Sequence, residues 1–194
     1  MDYYPIIAGH FQDTLEAVAL SVDTLATPIE RASLAMTNAL LADHKIVACG
    51  HGPDGLLAQL LVEHLLDNPE QERPALPALA LRTGNSAMSE GNTHFSRQLR
   101  ALGQAGDILF CVSSTPSYED TLLQAVRTAG DRSMTVVVLS CDQGTALDAL
   151  LGPEDIHIKM NTLRRSTILE MHTMVIHSLC KLIDLNIFGG LSQG

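Results

Sequence analysis

The sequence predicts an α/β protein built on a doubly wound, five-stranded, mostly parallel sheet. After Asp43, short apolar runs alternate with stretches of helical character. Most of these runs are continuously apolar, as is typical of parallel strands covered by helices on both faces. The 194 residues, 46% of them apolar, are enough to bury a substantial core.

Two helices are predicted before the first strand. From Ile6 to about Leu25 the apolar residues recur at roughly helical spacing, and a second helical stretch runs from Ile29 to Leu41. Pro28 stands at the start of the second stretch, where proline suits the first turn of a helix.

The high apolar content also predicts an oligomer. Charged residues make up 18% of the chain and its mean hydropathy is +0.15, so we expect apolar surface to be covered by another subunit. We also expect a single domain, residues 1–194. In it, the N-terminal helices of residues 1–42 take part in oligomerisation, and residues 43–188 form the α/β core.

Strands and helices are predicted to alternate through that core. The strand candidates are Lys45–Cys49, Leu76–Leu81, Ile108–Val112, Met134–Ser140 and Ile156–Met160. Helices are predicted near Leu56–Leu66, Thr93–Leu102, Glu119–Ala129 and Thr145–Leu151, with a long last helix near Arg164–Ile187. The acidic stretch Asp67–Arg73 is predicted to be a solvated loop.

Charge and cysteine usage exclude several classes of function. With 12 basic and 22 acidic residues the net charge is −10, which does not suit direct binding to a nucleic-acid backbone. Cys49, Cys111, Cys141 and Cys180 form no CxxC pair, and most adjoin apolar runs, so we expect reduced thiols. No signal-peptide pattern and no membrane-spanning run is present, which predicts a cytoplasmic location.

Two loops are candidates for ligand binding. Ligands of doubly wound sheets lie beyond the carboxyl ends of the strands, near helix N-termini that attract anions. A Gly-rich loop follows the first strand and a Ser/Thr-rich loop follows the third, although hydroxyl residues also cap helices routinely. The predicted ligand-binding residues are Gly50, His51, Gly52, Ser113, Ser114, Thr115 and Ser117.

The order of several motifs points to a known family. The Gly-rich loop is followed by ERPALPALAL, FSRQLRALGQAGDILF, the Ser/Thr loop, LLGPEDI and EMHTMVIHSLCKLID. Over nearly its whole length the chain resembles the sugar isomerase (SIS) family, in the branch of phosphoheptose isomerases and the DnaA initiator-associating protein. The resemblance implies a SIS domain, and a homotetramer whose N-terminal helices form a central bundle.

The loops depart from the isomerase pattern. The family's G-N-G-G-S-A reads GHGPDG here, so that Pro53 removes a backbone donor and Asp54 replaces a serine that would face the phosphate. A carboxylate there would repel a dianion or cap its own helix. In the second loop, Pro116 and Tyr118 replace a glycine and a serine. The segment between Thr83 and Phe95 is shorter than in the family and lacks its N-D pair.

The catalytic positions implied by the resemblance are also changed. Leu60 stands where the family has a metal-binding histidine, His64 where it has the catalytic glutamate, and Leu169 where it has a glutamine. His172 and His177 are retained. We therefore expect no cofactor, zinc included, and keep His64 and His177 as the candidates for an altered catalytic site.

These changes favour a non-catalytic protein similar to the DnaA initiator-associating protein. Ile187 and Phe188 match the place of that protein's apolar contact with the initiator, and this predicts DnaA as a partner and a role in replication initiation. Alternatively, Phe188 closes the chain's own core. An altered sugar-phosphate isomerase, and a sensor that binds a sugar phosphate without turnover, remain open at this stage.

Overall fold

The computed structural model describes residues 1–68, 72–82, 93–116, 119–141, 145–161 and 164–189. The helices in these ranges are α1 (Tyr4–Leu41), α2 (Pro53–Leu66), α3 (His94–Leu102), α4 (Glu119–Asp131), α5 (Thr145–Asp148) and α6 (Arg165–Phe188). The strands are β1 (Ile46–Gly50), β2 (Ala78–Ala80), β3 (Ile108–Ser113), β4 (Thr135–Cys141) and β5 (Ile156–Met160).

The five strands form one parallel sheet in the order β2-β1-β3-β4-β5, which confirms the predicted fold class. From β1 the chain passes to β2 on one side, and then crosses to β3 on the other side. The strand order therefore reverses between β1 and β3, and the crevice beyond their carboxyl ends is where such sheets bind ligands.

Helices cover both faces of the sheet, which explains the continuous apolar runs. In β1, Ile46 and Ala48 face the cluster under α1, α2 and α6, while Val47 and Cys49 face the cluster under α3 and α4. Every residue of β1 and β3 is buried. All four cysteines are buried and free in this structure.

The N-terminal region is one helix, and the prediction of two helices was wrong. Pro28 lies inside α1, where it removes one backbone hydrogen bond. Residues on both sides of it, Leu25 and Ile29, line the same groove against Met171 and Val175 of α6. A break at Pro28 would turn one half of α1 away from α6, so packing against α6 outweighs the local cost of the proline.

The loop after α2 is not simply solvated, because Arg73 is buried. Its guanidinium donates to Asp184 Oδ1 of α6 at 2.8 Å and to two carbonyl oxygens in the last turn of α2 at 2.7 Å. The two side chains are 2% and 6% exposed. The prediction of a solvated loop failed at Arg73 because its acidic partner lies more than a hundred residues away in sequence.

The first half of α1 exposes an apolar surface. Its buried residues begin at Leu25, whereas Ile6, Ile7, Phe11, Leu15 and Val22 are all more than half exposed. Among the residues that the structure describes, no helix combines the length and apolarity needed to span a membrane.

Candidate functional site

The two predicted ligand loops meet at the point where the strand order reverses. Gly50 ends β1 and pairs in register with Val112, one residue before Ser113 ends β3. The Gly-rich loop turns back so tightly that a Cβ at Gly50 would lie 2.5 Å from the carbonyl oxygen of Asp54. A glycine is therefore required at position 50, and α2 begins directly against the end of β1.

The first turn of α2 uses its own N–H groups internally. Pro53 has none, the Asp54 N–H donates to the His51 carbonyl at 3.1 Å, and the Gly55 N–H donates to the Gly52 carbonyl at 3.0 Å. The N–H groups at a helix start are what makes it attractive to anions. At this helix they are already engaged.

Asp54 lies in the middle of the site and is 1% exposed. Its Oδ2 accepts a hydrogen bond from the backbone N–H of Ser114 at 3.0 Å, while Oδ1 is buried without a partner among the described residues. Burial raises the pKa of the Asp54 carboxyl, and the bonds from Ser114 and the charge of Arg165 partly offset this. Asp54 does not cap its own helix, one of the two roles considered for it, but links α2 to the loop after β3.

The hydroxyl groups of the Ser/Thr loop are also hydrogen-bonded within the chain. Ser113 Oγ donates to the Thr115 carbonyl at 3.0 Å, and Ser114 Oγ accepts from Arg165 Nε at 3.4 Å. Ser113 and Ser114 are 7% and 3% exposed. Ser117, the last predicted ligand residue, lies outside the described residues, as does Tyr118.

Histidine and phenylalanine rings cluster beside the Gly-rich loop. The ring of His51 lies 4.8 Å from that of His94, edge to face, and 5.1 Å from that of Phe95. Burial lowers the pKa of both histidines, and the charge of His94 adds to the effect on His51. Both rings are therefore uncharged at neutral pH. Sequence analysis did not place His94 at the site, since nothing in its local pattern distinguishes it from a helix-start residue.

The structure brings the predicted pair His64 and His177 together. Their ring centroids are 5.1 Å apart, on α2 and α6, and the ring planes are inclined by 41°. Leu60, on the same face of α2 as His64, packs against the core. Within the described residues no three His, Cys, Asp or Glu side chains are grouped to hold a metal ion. The pair has the chemistry to exchange a proton, and whether it does so stays a prediction.

Sequence analysis missed a cavity of about 590 Å³ between α2 and the edge strand β2. Gly50 and Gly52 are among its lining residues, and Gln59, Glu63 and Arg82 contribute polar side chains. Glu63 lies about 100° around α2 from His64, so the cavity and the histidine pair occupy different faces of the helix.

A Ser-His-Asp arrangement was also missed. Ser140 Oγ of β4 lies 2.7 Å from His157 Nε2, and His157 Nδ1 lies 2.6 Å from Asp148 Oδ1. Asp148 also binds Lys159; although desolvation raises the pKa of Asp148, the bonds from Lys159 and His157 bring it below its usual value. Ser140 is 4% exposed. Because its three residues lie on β4, α5 and β5, the network connects these elements.

The predicted partner-binding pair lies at the end of α6. Ile187 and Phe188 are half-buried and pack against the core, and the Arg73 guanidinium lies 5.8 Å from the centre of the Phe188 ring. Phe188 therefore contributes to its own core and keeps part of its surface open.

Comparison with known proteins finds similarity along the whole chain. The SIS domain family matches residues 10–141. A phosphoheptose isomerase of Halorhodospira halophila is 41% identical, covering 98% of each chain. A DnaA initiator-associating protein of Cronobacter sakazakii is 36% identical over 92% of this chain and 93% of that one. The solved structure of a phosphoheptose isomerase from Francisella tularensis superposes with a TM-score of 0.87 at 32% identity, covering 95% of this chain and 99% of that one.

Proposed function

The chain belongs to the SIS domain family, and we propose that within it the protein is a non-catalytic, cytoplasmic protein-binding module similar to the DnaA initiator-associating protein. The observation that carries the proposal is the composition of the histidine site. The ring centroids of His64 and His177 are 5.1 Å apart, and leucines, Leu60 and Leu169, stand at the sequence positions where the resemblance implies a metal-binding histidine and a glutamine.

The chemistry of sugar-phosphate isomerisation explains why this composition matters. Moving a proton between neighbouring carbons needs a base at a fixed position and a polarised carbonyl oxygen. Leucine side chains cannot bind a metal ion that would polarise the oxygen. The Ser114 N–H is in addition engaged by Asp54, which leaves one donor fewer for a substrate phosphate.

The exposed surface of α1 supports an oligomeric module. Its apolar residues continue into a groove of about 180 Å³ between α1 and α6, lined by Val18, Val22, Met174 and their neighbours. Contiguous apolar surface of this kind marks a protein contact. We propose that copies of the chain associate through α1 as a tetramer.

We propose the replication initiator DnaA as the partner, with Ile187 and Phe188 in the contact. Light scattering of the purified protein gives the number of subunits. Capture of purified initiator by the immobilised protein tests the contact, with an Ile187→Ala/Phe188→Ala double variant beside Leu185→Ala, an exposed neighbour on α6, as control.

The double variant should bind the initiator roughly 30-fold more weakly, since aromatic anchors contribute about 2 kcal/mol or more. Leu185→Ala should bind as the unchanged protein does. Thermal unfolding of both variants shows whether the fold is intact, because Phe188 also packs on the core. A folded double variant with full affinity for the initiator would refute the contact.

An isomerase with an altered site is the second candidate. The 41% identity to a phosphoheptose isomerase and the facing histidines favour it. Turnover of sedoheptulose 7-phosphate, with and without zinc, decides between the two. Turnover that disappears in His177→Ala would establish the isomerase and refute the non-catalytic function.

A further inference from the structure

We propose that the Asp54 carboxylate is a built-in anion that takes the place of a ligand's phosphate group, so that the crevice between β1 and β3 rejects phosphorylated and other dianionic ligands. The inference rests on the proposed non-catalytic function, and deepens it by assigning a ligand class to the same crevice. It does not depend on the identity of the protein partner.

The backbone donors of the crevice are already engaged. A phosphate group at a helix start is held by free N–H groups. Here the Ser114 N–H donates to Asp54 Oδ2, and the N–H groups of Asp54 and Gly55 donate to carbonyl oxygens of the Gly-rich loop. Three donors around the crevice are thus engaged by the chain itself, one of them by a carboxylate.

The charges around the crevice point the same way. Arg165 Nε contacts Ser114 Oγ, and the positive charge of Arg165 acts on the Asp54 carboxyl. That charge would otherwise attract an anionic ligand. Burial raises the pKa of the Asp54 carboxyl while the Arg165 charge favours its ionised form, and in that form it presents an approaching dianion with a charge of the same sign.

Asp54 is also held firmly in place. It belongs to the first turn of α2, directly after Pro53, and is 1% exposed. Its Oδ1 is buried with no hydrogen-bond partner among the described residues, whereas a carboxylate that served only to cap the helix would use its oxygens on the helix N–H groups. The carboxylate therefore occupies the crevice as a ligand group would.

The ligand class that remains is uncharged. The neighbouring cavity between α2 and β2 has a volume of about 590 Å³, and Gln59, Glu63 and Arg82 line it with hydrogen-bonding side chains. A free sugar can bind such groups without a phosphate in the crevice. Phosphorylation of that sugar should then prevent binding or leave it unchanged, and should not improve it.

Thermal unfolding tests the inference directly. The unchanged protein, Asp54→Ser and Asp131→Ser are compared in sodium sulfate and in sodium chloride of equal ionic strength. Sulfate is a dianion of phosphate geometry, and Asp131 is an exposed carboxylate at the end of α4 whose replacement makes the same change in net charge. A hexose 6-phosphate and the matching free hexose follow as ligands.

In Asp54→Ser, sulfate at roughly ten times its Kd should raise the midpoint of unfolding by about 3–6 °C. The unchanged protein and Asp131→Ser should show only the smaller, equal rise that sulfate produces by exclusion from a protein surface, and the binding shift of Asp54→Ser is the excess over that rise. If Asp54→Ser does not fold, Asp54→Asn replaces it, because the amide oxygen can still accept from Ser114 while the charge is gone. The same sulfate shift is expected there.

Two results would overturn the inference. One is a sulfate or hexose phosphate shift in the unchanged protein as large as in the Asp54 variant. The other is no binding shift in either protein, since removal of the carboxylate should open the crevice to anions. Capture of the initiator is measured separately, so a failure of the proposed protein contact leaves the result for Asp54 interpretable.

Discussion

His64 and His177 face each other across two neighbouring helices, with their ring centroids 5.1 Å apart. His177 is exposed at the surface of α6, while His64 is half-buried on α2. This geometry is compatible with a surface pair that has no catalytic role and with an acid–base pair. Substitution of the exposed member separates these roles because its effect on stability is small.

His177→Ala should change the free energy of unfolding by no more than about 0.5 kcal/mol, as is usual for surface substitutions. Initiator capture should be unchanged, and so should the absence of isomerase turnover. Ser178→Ala, at the next exposed position, is the control for the helix itself. A rate that falls by a factor of about 100 or more in His177→Ala alone would identify an acid–base residue.

Removal of either Arg73 or Asp184 should cause a large loss of stability. The pair is buried, and Asp184→Ala would leave the Arg73 guanidinium without its counter-charge. We expect a loss of about 3–5 kcal/mol in urea unfolding.

The exposed ion pair of Arg164 and Asp13, whose side chains are 54% and 49% exposed, is the matched control. Asp13→Ala should cost about 1 kcal/mol or less. Equal losses in the two variants would show that burial does not decide the strength of these pairs.

The protein should lose stability in acid because of His172. Burial lowers the pKa of this fully buried histidine from 6.5 to about 4, so the folded protein keeps the ring neutral. Unfolded chains bind the proton more readily than the folded protein does. The contribution of His172 to the free energy of unfolding is therefore complete above pH 6.5 and is lost as the pH falls towards 4.

Between pH 7 and 4.5 this residue should account for a fall of about 2 kcal/mol in the free energy of unfolding. In His172→Leu, urea unfolding at the two pH values should differ by that much less. His177→Leu should retain the full difference. An unchanged pH dependence in His172→Leu would mean that the ring is not held neutral.

Substitution of Pro28 should increase the stability of the protein. It lies inside α1, where it lacks the N–H of an ordinary helical residue. Pro28→Ala should raise the free energy of unfolding by up to about 3 kcal/mol. Thr27→Ala, at the exposed neighbouring position, should change it by about 0.5 kcal/mol or less. A loss of stability in Pro28→Ala would show that the packing of α1 on α6 needs the proline.

The sheet could be predicted from the sequence because its signal is local. Buried parallel strands require continuous apolar runs, and the predicted Ile108–Val112 and Ile156–Met160 match β3 and β5 within one residue. The choice of the Gly-rich and Ser/Thr-rich loops as ligand candidates followed from the general position of ligands in such sheets, and the structure shows that the two loops meet.

The errors concern interactions between distant parts of the chain. Pro28 indicates a helix start locally, but a single groove against α6 keeps α1 continuous. Arg73 in an acidic stretch indicates solvent, but its partner is Asp184. The role of Asp54 depends on the Ser114 amide, sixty positions along the chain. Residue type and spacing carry no information about such pairings.

The packing of α1 against α6 also has a consequence for biosynthesis. α1 leaves the ribosome before α6, against which it packs, and well over a hundred residues separate the two helices. At the usual speed of translation its apolar face stays uncovered for roughly 10 s. The nascent chain should therefore be a substrate for chaperones that recognise apolar helices, and truncation before α6 should yield an insoluble product.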